Sequence, residues 1–245
     1  MKKLSILFIL LALTLSACSA PAEDAQEEVK QITVLTSPDY PPFESIDATG
    51  NYVGFDIELM EAIAEIMGVE VVWKESSFDG IIAGLTAGQG DMAISGMNVN
   101  GERLLSVDFS DIYKDGEALY TAVVHTEKGY TTIADLTGLK VGVQTGTIQE
   151  AAMLTLKDKY NLTIDSRASF LTIIEDIKLG RLDALVIDYE NATQYSIANP
   201  DLDQDGGTAV ALPKGSEWTV KVNEALAQLK ENGKLAELET KWFGE

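Results

Sequence analysis

From residue 31 onward, short apolar runs alternate with longer stretches in which apolar residues recur every three or four positions. ITVLT, starting at Ile32, is β-branched and continuous, the pattern of a buried strand. The loop after it, Ser37-Pro38-Asp39-Tyr40-Pro41-Pro42-Phe43, carries three prolines, which predict a stiff connection without regular structure. In GFDIELMEAIAEIMG, residues Ile57, Met60, Ile63, Ala64 and Met67 fall on one helical face and Gly68 ends the helix. VEVVWK is a second strand, SSFDGIIAGLTAGQG a loop and short helix ending at Gly88, and DMAIS a third strand. Strands alternating with helices predict parallel βαβ units, whose ligands gather at the C-terminal edge of the sheet. Tyr40, Phe78, Ser95 and the approach to Arg103 all fall at that edge.

The pattern then restarts. DIYKDGEALYTAVVH reads as extended, TTIADLTG as a short helix, KVGVQTG as a strand and loop, and TIQEAAMLTLKDKY as a helix. FLTIIEDIKLGR is an amphipathic helix and DALVID a buried strand ending at Asp188. TAVALPKG returns as a strand, and two helices broken at Asn232-Gly233 close the chain, with Trp242 and Phe243 anchoring its end.

Four places carry candidate chemistry. Ser95-Gly96 stops a buried strand at a position without a side chain, where a ligand can approach the backbone. Arg103 follows on the first turn of a helix opened by Asn100, and a guanidinium is a two-pronged donor matched to a carboxylate. The alternative for Arg103 is a surface pair with Glu102 or Asp108. Gln144-Thr145-Gly146-Thr147 lies between a strand and a helix, so its N–H groups point at whatever lies above, and the same turn can cap its own helix and hold a ligand. Asp188, at the end of a buried strand, needs a partner: a ligand ammonium, a lysine or water.

The first residues change the picture of where this chain works. Lys2 and Lys3 precede the apolar run LSILFILLALTL and then Leu15-Ser16-Ala17-Cys18. That is a secretory signal over residues 1–17, too short and wrongly flanked for a membrane span. Its end resembles the bacterial lipobox, so Cys18 is expected to carry the lipid (palmitate among its acyl chains) that anchors the protein outside the cytoplasmic membrane. Residues 18–30 are small and acidic, a flexible tether. Removing Lys2 and Lys3 from the 18 basic residues leaves 16 against 39 acidic ones, a net charge of −23. Such a field repels nucleic acid and anionic lipid surfaces. A single cysteine excludes an internal disulfide, and a single histidine, His125, argues against a histidine-based zinc or triad site. DLDQDG (201–206) matches half a calcium loop, but Leu212 stands where a bidentate acid is needed, so it reads as a solvated turn. The sequons at Asn161 and Asn191 carry no weight in a bacterial lipoprotein. No cofactor and no metal are expected.

Taken in order, YPPFE, GFDIELMEAIA, FDGIIAGLTAG, DMAISGM, ER followed by VDFSDIYK, VGVQTGT, GRLDALVID and the closing KWFG resemble the extracytoplasmic solute-binding proteins of polar-amino-acid ABC transporters, solute-binding protein family 3. Each motif is weak alone; together they cover nearly all of Ile32 to Gly244. The resemblance implies an α/β, two-lobed periplasmic-binding-protein-like fold, each lobe a mainly parallel sheet flanked by helices, with two crossover hinge strands. Lobe 1 is expected over 31–113 plus 209–245 and lobe 2 over 116–206. It also implies roles. Arg103 grips the α-carboxylate with the backbone of Ser95, Gly96, Met97 and Asn98 and with Thr147 in the Thr145-Gly146-Thr147 turn. Asp188 takes the α-ammonium, Tyr40 and Phe78 sandwich the side chain, and Gln144 lines its end. Where the family usually has Thr this chain has Asn98, and where basic-amino-acid binders often carry an acid it has Ser37, with Asp39 two residues on. The implied function is capture of a free polar or basic L-amino acid, arginine or glutamine leading, by a monomer that delivers it to ABC permease subunits. The alternatives are a ligand-sensing module or a dehydratase on the same scaffold, acting on cyclohexadienyl or arogenate substrates, for which Glu150 and Glu190 are candidate acids.

Overall fold

The strand-and-helix alternation folds into two α/β lobes. The computed structural model describes residues 29–116, 120–122, 133–187, 196–198 and 206–244. β1 (Lys30–Thr36) leads to three short strands, β2 (Asp39–Tyr40), β3 (Glu44–Ile46) and β4 (Tyr52–Val53), which pair antiparallel. The proline-rich stretch is thus not devoid of regular structure. Asp39 and Tyr40 pair with Ser45 and Glu44, while Pro41 and Pro42 occupy the turn, where a missing N–H costs no ladder bond.

α1 (Phe55–Met67) buries Phe55, Ile57, Leu59, Met60, Ile63 and Ala64. It stops at Gly68, whose left-handed backbone returns its N–H to the carbonyls of Ala64 and Glu65. β5 (Val69–Glu75), a 3₁₀ turn (Phe78–Gly80), α2 (Ile81–Thr86), β6 (Met92–Ala93), α3 (Arg103–Ser106) and β7 (Val107–Phe109) follow. β5 and β6 flank β1, both parallel to it, and β13 (Ala211–Pro213) joins antiparallel between β6 and β7. α6 (Trp218–Glu231) and α7 (Lys234–Phe243) pack on α1 over one face of this sheet, where Phe243 lies 5.1 Å from both the Phe43 and Phe55 rings.

The second lobe holds a parallel sheet in the order β10–β9–β11, formed by Thr163–Arg167, Lys140–Gln144 and Ala184–Leu185. α4 (Ile148–Leu156) and α5 (Phe170–Lys178) cover it. β10 has no counterpart among the sequence-based expectations. Its sequence TIDSR is polar and half exposed, because an edge strand on β9 has little to bury. α4 ends at Leu156, short of the expected Tyr160, and only Ala184 and Leu185 of DALVID pair as strand. β8 (Tyr120–Ala122) and β12 (Ser196–Ala198) form a separate antiparallel pair. Beside the first sheet the chain passes twice: the Tyr113 N–H bonds Thr208 O at 3.0 Å and the Thr208 N–H bonds Lys114 O at 2.9 Å. Residues 1–17, Cys18, His125, Asp188, Glu190, Asn191 and 201–205 lie outside the described residues.

Candidate functional site

A small cavity of about 30 Å³ is lined by Asp39, Tyr40, Glu44, Phe78, Ser95, Gly96, Asn98, Gln144, Thr147, Gln149, Phe170, Val186 and Ile187. Most of these residues follow a strand directly: Asp39 and Tyr40 after β1, Phe78 after β5, Ser95 and Gly96 after β6, Thr147 after β9, Phe170 after β10, and Val186 and Ile187 after β11. Peptide groups are unpaired at the C-terminal edge of a parallel sheet, and here two such edges face one another.

The lobes touch at several points around the cavity. Asp39 Oδ2 accepts the Phe170 N–H at 2.9 Å, at the N-terminus of α5, and Oδ1 receives Gln144 Nε2 at 3.4 Å. The Tyr40 ring stacks on Phe43 at 5.6 Å and meets the Phe170 ring edge-on at 5.3 Å. Arg103, buried beneath Phe78 with its guanidinium carbon 5.3 Å from that ring's centre, donates Nη1–H to Asn98 O at 2.6 Å and Nη2–H to Gly146 O at 3.0 Å. The last bond joins lobe 1 to lobe 2. Asn100 Oδ1 accepts the Arg103 N–H at 2.8 Å and so opens α3, while Asp108 bonds Lys214 instead.

Among the expected ligand contacts, Tyr40, Phe78, Ser95, Gly96, Asn98, Gln144 and Thr147 line the inner cavity. Met97, Arg103 and Gly146 line a wider groove of about 370 Å³ outside it, together with Phe78 and Thr147. Phe78 and Thr147 are the walls common to both spaces, and Arg103 and Gly146 belong to the outer one. Thr145 lines neither, and its N–H is donated to Arg167 O at 2.9 Å. Three more of the expected backbone donors are already engaged: the Gly96 N–H by Asp56 Oδ2 at 2.6 Å, the Gly146 N–H by Glu150 Oε2 at 2.8 Å, and the Thr147 N–H by Gln144 O at 3.4 Å. Thr147 Oγ1 accepts the Glu150 N–H at 3.1 Å and so caps α4, while the Glu150 carboxylate reaches back one residue beyond the cap to Gly146. Ser166 Oγ bonds the other Glu150 oxygen. Gln144 also donates to Ala168 O at 3.2 Å.

Asp39, Glu44, Gln149, Phe170, Val186 and Ile187 line the cavity as well, without being marked for it by the sequence pattern. Phe170 was recoverable: an aromatic opening an amphipathic helix sits at a strand end once β10 is recognised. Glu44 gave the signal of an acid inside an otherwise apolar segment. Ser95 Oγ accepts the Ser37 N–H at 3.1 Å and donates to Glu44 Oε1 at 2.8 Å, which ties the floor of the cavity together. Among the described residues no group of histidine, cysteine and acidic side chains is arranged to hold a metal, and no helix is long and apolar enough to cross a membrane.

Two parallel-edged lobes meeting around a cavity, with an arginine crossing between them, define a cleft-type ligand-binding protein. The chain belongs to the bacterial extracellular solute-binding proteins, family 3, whose pattern it matches over residues 32–245. It is 35% identical over 254 residues to the arginine-binding extracellular protein ArtP of Bacillus subtilis (strain 168), covering 99% of this chain and 98% of that one. The substrate-binding protein of an amino acid ABC transporter superposes with a TM-score of 0.81 at 33% identity, over 88% of this chain and all of the other (100%). An ancestral arginine-binding protein bound to glutamine gives a TM-score of 0.79 at 34% identity, covering 88% and 98% of the two chains. The chain is accordingly a binding protein rather than an enzyme.

Proposed function

We propose that this protein captures a free polar or basic L-amino acid, arginine or glutamine before others, outside the cytoplasmic membrane and delivers it to ABC permease subunits. In this reading it works as a monomer held to the membrane by a lipid on Cys18. Lobe 1 comprises residues 31–113 with 209–245, lobe 2 comprises 116–206, and the segments beside Tyr113 and Thr208 are the hinge. The observation that carries the reading is the Arg103 guanidinium at the seam between the lobes, against an aromatic wall and beside an inner cavity. The α-carboxylate of the ligand is gripped by the Arg103 guanidinium alongside its bond to Gly146 O, with Asn98 and Thr147 beside it. Asp188 receives the α-ammonium, and the side chain lies between Tyr40 and Phe78 with Gln144 at its end. A ligand gripped by both lobes favours the arrangement in which they touch, by as much as its affinity differs between the two arrangements. The arginine-binding relative and the glutamine-bound ancestral protein support the ligand class.

A thermal-shift screen of the twenty amino acids tests this. Ligand at about 1,000 times its Kd adds roughly 4 kcal/mol to stability, which at roughly 2–4 °C per kcal/mol for a chain of this size raises Tm by about 8–16 °C. Arginine or glutamine is expected to give the largest shift. No shift with any of the twenty would remove the reading.

A further inference from the structure

The inner cavity has an unusual floor. Glu44, on β3, is fully buried and lines it. Directly behind stands Asp56, the second residue of α1, also fully buried, whose Oδ2 accepts the Gly96 N–H at 2.6 Å and the Tyr113 O–H at 2.9 Å. Glu44 Oε2 and Asp56 Oδ1 are buried without a hydrogen-bond partner. Two neighbouring buried acids resist ionising together, so the pair holds a proton. Burial first, and then the Asp56 charge, raise Glu44 well above the usual carboxylate range; Ser95 opposes this and Asp39 adds to it. Burial raises Asp56 as well, against the bonds from Gly96 and Tyr113. Tyr113, itself raised by burial and by both acids, stays neutral and donates. Of the buried cations of this lobe, Arg103 donates to Asn98 O and Gly146 O, and Lys114 Nζ lies 4.5 Å over the Phe243 ring.

We infer that Glu44 discriminates ligands by the charge of their side chain: an amino acid with a cationic side chain, guanidinium or ammonium, binds with release of the proton that Glu44 shares with Asp56. The inference rests on the amino-acid reading of the cleft. Before binding, the pair carries one proton and one negative charge. A cation brought to the cavity floor favours the doubly ionised pair, so the Glu44 O–H bond breaks, the electron pair stays on the carboxylate and the proton passes to solvent buffer. The ionised floor with the cation beside it carries the same single negative charge that the protonated floor carried without it. A neutral side chain of the same length, such as the ureido group of citrulline, supplies no charge to displace the proton and leaves it where it is.

The test is calorimetry on the full chain at pH 7, with L-arginine and L-citrulline, in buffers of different ionisation enthalpy. The dependence of the observed heat on buffer enthalpy gives the protons released. Arginine is expected to release about one proton and citrulline none; glutamine serves as a second neutral ligand. Glu44→Gln keeps the shape of the floor, and it is expected to abolish the buffer dependence and weaken arginine by roughly tenfold or more. Equal release by arginine and the neutral ligands overturns the inference. So does binding of arginine with no release, full release retained in Glu44→Gln, or binding restricted to neutral ligands. If Glu44→Gln does not fold, the wild-type comparison decides alone, and arginine's own slope decides where only cationic ligands bind. Absence of binding by every amino acid would instead bring down the reading of the cleft, a result distinct from binding without proton release.

Discussion

Gly146→Ala probes the seam between the lobes without touching a side chain that meets ligand. Gly146 has φ +80°, and a Cβ there would stand 2.9 Å from both Cα and Cβ of Asp79 in the other lobe. Carbon atoms rest at about 3.5–4.0 Å, so the lobes must part locally by roughly 0.6 Å or more. The Arg103 Nη2 to Gly146 O distance is 3.0 Å, and the same displacement takes it to about 3.6 Å, where it is no longer a hydrogen bond. A bond to a charged group is worth about 1.5–3 kcal/mol, so affinity for the amino acid should fall roughly 10- to 150-fold. The left-handed backbone adds a separate cost of about 1–2 kcal/mol for any L side chain, which lowers Tm by roughly 2–8 °C with or without ligand. Gly138→Ala separates the two effects, because Gly138 also has φ +80° but open space around its Cβ. It should lower Tm comparably and leave affinity unchanged. Calorimetry gives the affinity, and small-angle scattering gives the ligand-dependent compaction. If Gly146→Ala binds within twofold of wild type and compacts normally, the Asp79–Gly146 contact does not form in the liganded protein and the reasoning is wrong.

Arg103→Ala should remove two charge-assisted bonds, about 3–6 kcal/mol, and abolish measurable binding in calorimetry while the circular-dichroism spectrum stays that of the wild type; wild-type affinity would refute the clamp. Asp188→Asn should weaken an α-amino acid far more than its des-amino analogue, and equal losses would count against an ammonium contact. Glu44→Gln should also change the pH dependence of folding. The folded value of Glu44 lies above the ordinary 4.5, so its contribution to stability is fully present below that pH and is lost as pH rises through the raised value. The variant escapes this loss, and its Tm should gain on wild type as pH rises above about 4.5 in a thermal melt; parallel curves would show that folding does not raise the proton affinity of Glu44.

Periodicity and turn residues determined much of this protein. The stripe Ile57, Met60, Ile63, Ala64 with its Gly68 stop, the apolar run at Ile32, and the break at Asn232-Gly233 each specify an element locally, because burial of one face and the left-handed need of a helix end depend on residues a few positions apart. Ordered motifs over nearly the whole chain carried the two-lobed α/β architecture. The edge strand Thr163–Arg167 left no such trace, since its polar residues bury little and its pairing partner lies over twenty positions away on β9. Nor did the floor of the cavity. That Glu44, 0% exposed, stands against Asp56, likewise 0% exposed, depends on how β3 packs across the first turn of α1. That Asp39 caps α5 and Arg103 reaches Gly146 depends on two separately folded sheets being brought edge to edge. Local sequence sets which residues stand at a strand end. Only tertiary structure decides which two strand ends face each other, because that choice is made by contacts between residues up to 131 positions apart, Asp39 and Phe170, which no periodicity encodes.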